Sequence, residues 1–172
     1  MRAPSSSPIT LERFTPDHVE GVAALFNEPA VARQVLQMPY QSADMWRKRI
    51  DVSNERMVSL VALSEGKVVA QGSLEQFSRI RRSHCGGIGM AVAQDWQGQG
   101  IGRQLLTALL DVADNWMKLH RVELTVYADN TAAVILYEKL GFETEGLLRD
   151  YAIRDGRFTD TLTMARITRA QV

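Results

Sequence analysis

Gln97-Gly98-Gln99-Gly100-Ile101-Gly102 sits between an apolar, glycine-rich run, Cys85 to Ala93, and the longest helical pattern in the chain, Gly98 to Lys118. Three glycines in five positions remove side chains where a backbone must come close to a ligand. The helix that follows turns its unpaired N–H groups and the positive end of its dipole back toward the turn, which suits a pyrophosphate. A plain tight strand-to-helix turn is the alternative. A dinucleotide turn would read Gly-x-Gly-x-x-Gly early in a βαβ unit, with an acidic residue about 20 positions on. Here the spacing is Gly-x-Gly-x-Gly in mid-chain. A nucleoside-triphosphate loop needs Gly-Lys-Ser/Thr, and Gly102-Arg103-Gln104 supplies none. Acyl-CoA remains.

Outward from this turn, the periodicities predict one α/β arrangement. Ile9 to Arg13 reads as a first strand, and Thr15 with Pro16 opens a helix through Val19, Val22, Ala23 and Phe26, ended by Asn27-Glu28-Pro29. Ser42 caps a second helix through Met45, Trp46 and Ile50. Met57 to Leu63 and Lys67 to Phe77, joined at Glu65-Gly66, read as a hairpin. The long helix carries Ile101, Leu105, Leu109, Val112, Ala113 and Trp116 along one face. Arg121 to Val126 is a strand and Thr131 to Leu140 a helix stopped by Gly141. Phe142 to Ile153 and Phe158 to Ile167 are strands joined at Asp155-Gly156. The predicted order is βααβββαβαββ, a mixed sheet with helices on both faces.

Composition narrows the function. The 172 residues hold 20 Lys+Arg against 20 Asp+Glu, a net charge of zero, which argues against a protein held on nucleic acid by a basic excess. Cys85 is the single cysteine, so neither an internal disulfide nor a cysteine-rich zinc site is expected, and no metal is. The start, Met1 to Pro8, lacks the apolar core of a signal peptide and reads as a flexible tail. No apolar stretch approaches the ~20 residues that span a bilayer. A cytoplasmic protein with one domain over residues 9–170 is expected.

Met90-Ala91-Val92, then Gln97-x-x-Gly100-x-Gly102, then Asn130, then Tyr137-x-x-x-Gly141-Phe142, in this order, resemble the GNAT superfamily of N-acetyltransferases. Arg82-Ser83-His84, Asp114-Asn115-Trp116 and Glu123-Leu124-Thr125-Val126 resemble its bacterial YhhY-type branch, which acetylates amino acids or related small amines. The resemblance implies a mostly antiparallel sheet with a splayed central parallel strand pair, and acetyl-CoA lying in that V. It implies that pantetheine amides pair with the backbone of Met90 and Val92, as though adding a strand. An N–H near Ala91 or Val92 would then meet the oxyanion. Gly98, Gln99, Gly100, Ile101, Gly102 and Arg103 would hold the pyrophosphate on their amides. Gln97 fits the superfamily's preference for Arg or Gln there, and Asn130 joins the cofactor contacts. A homodimer through the C-terminal strands is likewise implied.

Amine attack on a thioester needs a neutral amine, a donor for the oxyanion and an acid for the departing thiolate. The resemblance makes Tyr137 the acid; by spacing alone it is a core aromatic beside Val134 and Leu140. The base stays open. Thr125 stands where a ribosomal-protein branch has a glutamate, which leaves Glu75, His84, Glu123 or a water. Cys85 reads as a buried structural residue, because its neighbour His84 points to the opposite strand face. Tyr40, with Met38 and Pro39, and Tyr151 are expected to line the acceptor site, where Arg82 or Arg81 would hold a carboxylate. The reading is an acetyl-CoA-dependent N-acetyltransferase for a small primary amine, by direct attack in a ternary complex. A protein N-terminal or lysine acetyltransferase and a non-catalytic acyl-CoA sensor are the alternatives.

Overall fold

The computed structural model describes residues 7–50 and 53–168. The expected tail, residues 1–8, lies outside the described residues except for Ser7 and Pro8, as do residues 169–170 at the end of the expected domain. The strands are β1 (Ile9–Arg13), β2 (Met57–Ser64), β3 (Lys67–Gln76), β4 (Cys85–Val92), β5 (Arg121–Tyr127), β6 (Glu143–Arg154) and β7 (Arg157–Ile167). The helices are α1 (Val19–Asn27), α2 (Pro29–Ala32), α3 (Ala43–Arg47), α4 (Ile101–Asp111) and α5 (Thr131–Lys139). The strands form one seven-stranded mixed sheet in the order β1-β2-β3-β4-β5-β7-β6. Its parallel pair, β4 with β5, matches Cys85 to Arg121, Gly86 to Val122 and Gly87 to Glu123. Both hairpin turns fall where expected. Glu65-Gly66 and Asp155-Gly156 take positive φ at both central positions, the mirror-image turn whose twist suits a two-residue hairpin.

The chain divides into two compact units, one running through Ser73 and then Met90–Leu109, the other Leu74–Gly89 and the chain from Leu110 on. In the first, β1 pairs antiparallel with β2 from Ile9↔Ser64 to Arg13↔Leu60. The inward stripe of α1, Val19, Val22, Leu25 and Phe26, packs with Phe14, Val61 and Trp46. Trp46 meets the Phe26 ring at 4.6 Å and the Phe14 ring edge-on at 6.1 Å. Leu105, Leu106 and Leu109 of α4 are fully buried. Burying one such side chain stabilises by about 2 kcal/mol.

In the second unit, β5 pairs antiparallel with β7 from Arg121↔Ile167 to Tyr127↔Thr161, and β6 pairs with β7 along the outer edge. The β6–β7 register slips between Leu148 and Ala152. There Asp150 takes φ +51° and its N–H donates to Asp160 Oδ1 at 2.8 Å. Arg166 on β7 grips Asp114 with two bonds, Nη1 to Oδ1 at 2.8 Å and Nη2 to Oδ2 at 2.7 Å.

Four local expectations are corrected. Thr15 and Pro16 open a short 3-10 turn, Pro16–His18, before α1 begins at Val19. The His18 ring accepts the Thr15 N–H at 3.1 Å, which holds that tighter turn. Pro29 starts the extra helix α2 rather than merely ending α1, because a first-turn proline needs no N–H. Ser42 does cap α3, accepting the Met45 N–H, but α3 stops at Arg47 rather than Ile50. The long helix begins at Ile101 and passes after Asp111 into a π-helical turn, Val112–Trp116. That wider turn keeps Ala113 buried but rotates Trp116 off the inner face, leaving it 79% exposed.

Candidate active site

After Val92 the chain makes a 3-10 turn, Gln94–Trp96, and reaches α4 through Gln97–Gly100. Side chains fasten this loop to its own flanks. Gln97 Nε2 donates to the Val92 carbonyl and Gln99 Nε2 to the Asp95 carbonyl, each at 3.0 Å. Glu28 Oε2 accepts the Gln94 N–H at 2.9 Å. Gly98 and Gly100 take φ +73° and +81°. A Cβ at either would meet nothing within 4 Å. The backbone, rather than crowding, demands glycine, and the space beside it is open. Gln104 donates its N–H to the Gly100 carbonyl at 3.0 Å and opens α4. The N–H groups of Ile101, Gly102 and Arg103 precede that bond and have no acceptor within the helix. An open turn with left-handed glycines and unpaired helix-start amides fits a diphosphate.

The first unit thus holds Met90, Ala91, Val92 and Gln97 to Arg103, together with Tyr40. Tyr40 is 92% exposed with φ +61°, a strained position for an aromatic residue. Its segment is anchored just behind it. Asn27 Oδ1 accepts the Gln41 N–H at 2.7 Å and Asn27 Nδ2 donates to the Gln41 carbonyl at 2.8 Å.

The second unit holds Glu75, Arg82, His84, Asn130, Tyr137 and Tyr151. Asn130 caps α5, its Oδ1 accepting the Ala133 N–H at 3.3 Å. Tyr137 follows two turns later, 6% exposed, its ring edge-on to Phe142 at 5.7 Å. Burial pushes its hydroxyl up to about 12, so it holds its proton at neutral pH. Glu75 and His84 are exposed, with the His84 and His120 ring centroids 6.3 Å apart. Tyr151 lies on the slipped stretch of β6.

Glu123 is committed elsewhere. Its Oε2 accepts from Arg82 at 2.9 Å and from Arg121 at 2.8 Å, and Arg121 also forks onto Glu145. Burial raises the Glu123 carboxyl, but the two arginines outweigh burial and hold it below the usual range. It is a poor proton acceptor. Arg82 also lies over the Phe77 ring at 4.7 Å, so a substrate carboxylate would share it with Glu123. Cys85 is 2% exposed. Sequence spacing missed these pairs, which join residues up to 41 positions apart, and no local periodicity marks them. Among the described residues no three His, Cys, Asp or Glu side chains gather as a metal site, and no helix is long and apolar enough to cross a membrane.

Residues 21–142 match the model of the acetyltransferase (GNAT) family. The chain is 34% identical over 161 residues to the L-amino acid N-acetyltransferase AaaT of Escherichia coli, covering 94% of this chain and 99% of that one. It is 28% identical over 163 residues to the spermidine N(1)-acetyltransferase of Vibrio cholerae, covering 92% of each. The solved structure of spermidine N-acetyltransferase from Vibrio cholerae in complex with CoA and spermine superposes with TM-score 0.80 at 24% identity. That match covers 92% of this chain and 95% of the other.

Proposed function

Because the chain belongs to the acetyltransferase (GNAT) family, we propose that it moves an acetyl group from acetyl-CoA to the primary amine of a small molecule, an L-amino acid. The observation that carries this reading is the open turn Gln97–Gly102 with its two left-handed glycines ahead of α4. Acetyl-CoA supplies the activated thioester. The amides of Gly98 to Arg103 hold its diphosphate, the backbone of Met90 to Val92 pairs with the pantetheine arm, and Asn130 adds a contact. Tyr137 Oη gives its proton to the departing sulfur. Glu75, His84 or a water takes the amine proton. The amine attacks directly, since the single thiol, Cys85, is buried. Residues 9–170 act as one domain in the cytoplasm, where a single unpaired cysteine is at home.

The acceptor is a hydrophobic amino acid rather than a polyamine. Leu36, Met38 and Tyr40 are all exposed on one anchored segment, which offers apolar contact. Arg81, exposed beside Arg82, offers charge for a carboxylate and repels a polycation. The relative at 34% identity is an L-amino acid acetyltransferase. A screen of amines with acetyl-CoA, read by thiol release, should show turnover of methionine or phenylalanine and almost none of spermidine. Efficient spermidine acetylation, or activity only on a protein N-terminus, would overturn the assignment.

The protein works as a homodimer. β6 is an edge strand, and Leu147, Tyr151, Ile153 and Phe158 stand exposed on it and its hairpin partner. Such an edge needs covering. Light scattering at working concentration should return twice the chain mass; a monomer refutes the dimer.

A further inference from the structure

We propose that Arg154, through Asp129, is a positioning residue for cofactor capture: it fixes the β5–α5 turn that presents Asn130. This rests on the reading of Asn130 as a cofactor contact. The turn, Ala128 to Asn130, has backbone fastenings at both ends. The Ala128 N–H donates to the Asp160 carbonyl and the Asn130 N–H to the Tyr127 carbonyl, each at 3.0 Å. Its middle residue, Asp129, is held from outside the turn by a side chain. Arg154, at the end of β6, forks both terminal guanidinium nitrogens onto the Asp129 carboxylate, Nη1 to Oδ1 at 3.2 Å and Nη2 to Oδ2. The same guanidinium lies over the Tyr127 ring at 4.7 Å.

One cation therefore grips the residue before Asn130 and the strand end that leads into the turn. The planar fork fixes direction as well as distance, which a point charge does not. Asn130 is already engaged as the cap of α5, so its remaining side-chain valence can meet a ligand only in the orientation the turn imposes. Loosening the fork should weaken cofactor binding while sparing the amine.

CoA is titrated calorimetrically into wild type, Arg154→Ala, Arg154→Lys, Asp129→Asn, the Arg154→Ala/Asp129→Asn double variant and Gly100→Val, with melting temperatures and both KM values measured in parallel. Arg154→Ala and Asp129→Asn should each weaken CoA about fivefold, the scale of a largely surface ion pair. The double variant should be no worse than the weaker single. Arg154→Lys should recover little, and the KM for the amine should stay unchanged. CoA affinity unchanged in the Arg154 variants but lost in Gly100→Val overturns the positioning role alone. Affinity unchanged in Gly100→Val as well overturns the cofactor reading and the positioning role with it. Additive losses, or an equal rise in the amine KM with a large drop in melting temperature, would show a merely structural pair and also overturn it.

Discussion

Tyr137→Phe lowers kcat by about 10²-fold or more and leaves the KM for acetyl-CoA nearly unchanged, the signature of a lost general acid. The substitution is gentle. Phenylalanine keeps the edge-on contact with Phe142 and removes only the hydroxyl. Burial holds that hydroxyl at about 12, above the ordinary value near 10, so the proton to be donated is present across the neutral and mildly alkaline range. The same shift has a stability consequence with a fixed sign. Below about pH 10 neither folded nor unfolded tyrosine is ionised, and the full stability is present. As the pH rises from about 10 through about 12, the unfolded hydroxyl ionises first and that contribution is lost. Tyr137→Phe should flatten this part of the alkaline melting profile. Steady-state kinetics from pH 6 to 9.5, with melting curves up to pH 11, check both. Near wild-type kcat at neutral pH would retire Tyr137 as the acid.

Gly100→Val raises the KM for acetyl-CoA by about thirtyfold. The space beside Gly100 is open, so no clash blocks folding. The backbone is the obstacle, because φ +81° is strained for any L side chain and worst for a β-branched one. Strain of about 2 kcal/mol drives the turn toward a relaxed conformation, which is about thirtyfold in a binding equilibrium. Since the Gly100 carbonyl also accepts the first bond of α4, relaxation disturbs the amides that would hold the diphosphate. Calorimetry with CoA gives the answer directly. Unchanged affinity would remove the phosphate role of this turn.

The parts of the fold that were legible are those written in short spans. Glu65-Gly66 and Asp155-Gly156 each place a hairpin turn within two residues, and Ser42 caps its helix through a bond three residues away. The glycine-rich turn is equally local. What was not legible depends on partners far along the chain. The π-helical turn that exposes Trp116 contains Asp114, which bonds Arg166 52 positions away, so helical spacing alone could not reveal it. Arg82 read as a carboxylate receptor from its loop, yet its nearest carboxylate is Glu123 on β5. Asp129 and Arg154 carried no motif. Long-range ion pairs leave no period in a sequence, and the candidate site was therefore legible in its backbone half and obscure among its charged side chains.

The strand order β5-β7-β6 sets the order in which the C-terminal strands can assemble. β7 follows β6 in the chain, yet it lies between β6 and the rest of the sheet and supplies the ladder on both sides. Until β7 docks, β6 has no neighbour and β5 lacks one of its two. The backbone N–H and C=O groups of β6 then stay unpaired, during the interval when a partly folded chain is most open to aggregation. Slower docking of β7 would lengthen that interval, so changes to β7 bear on folding yield even where the finished contacts are kept.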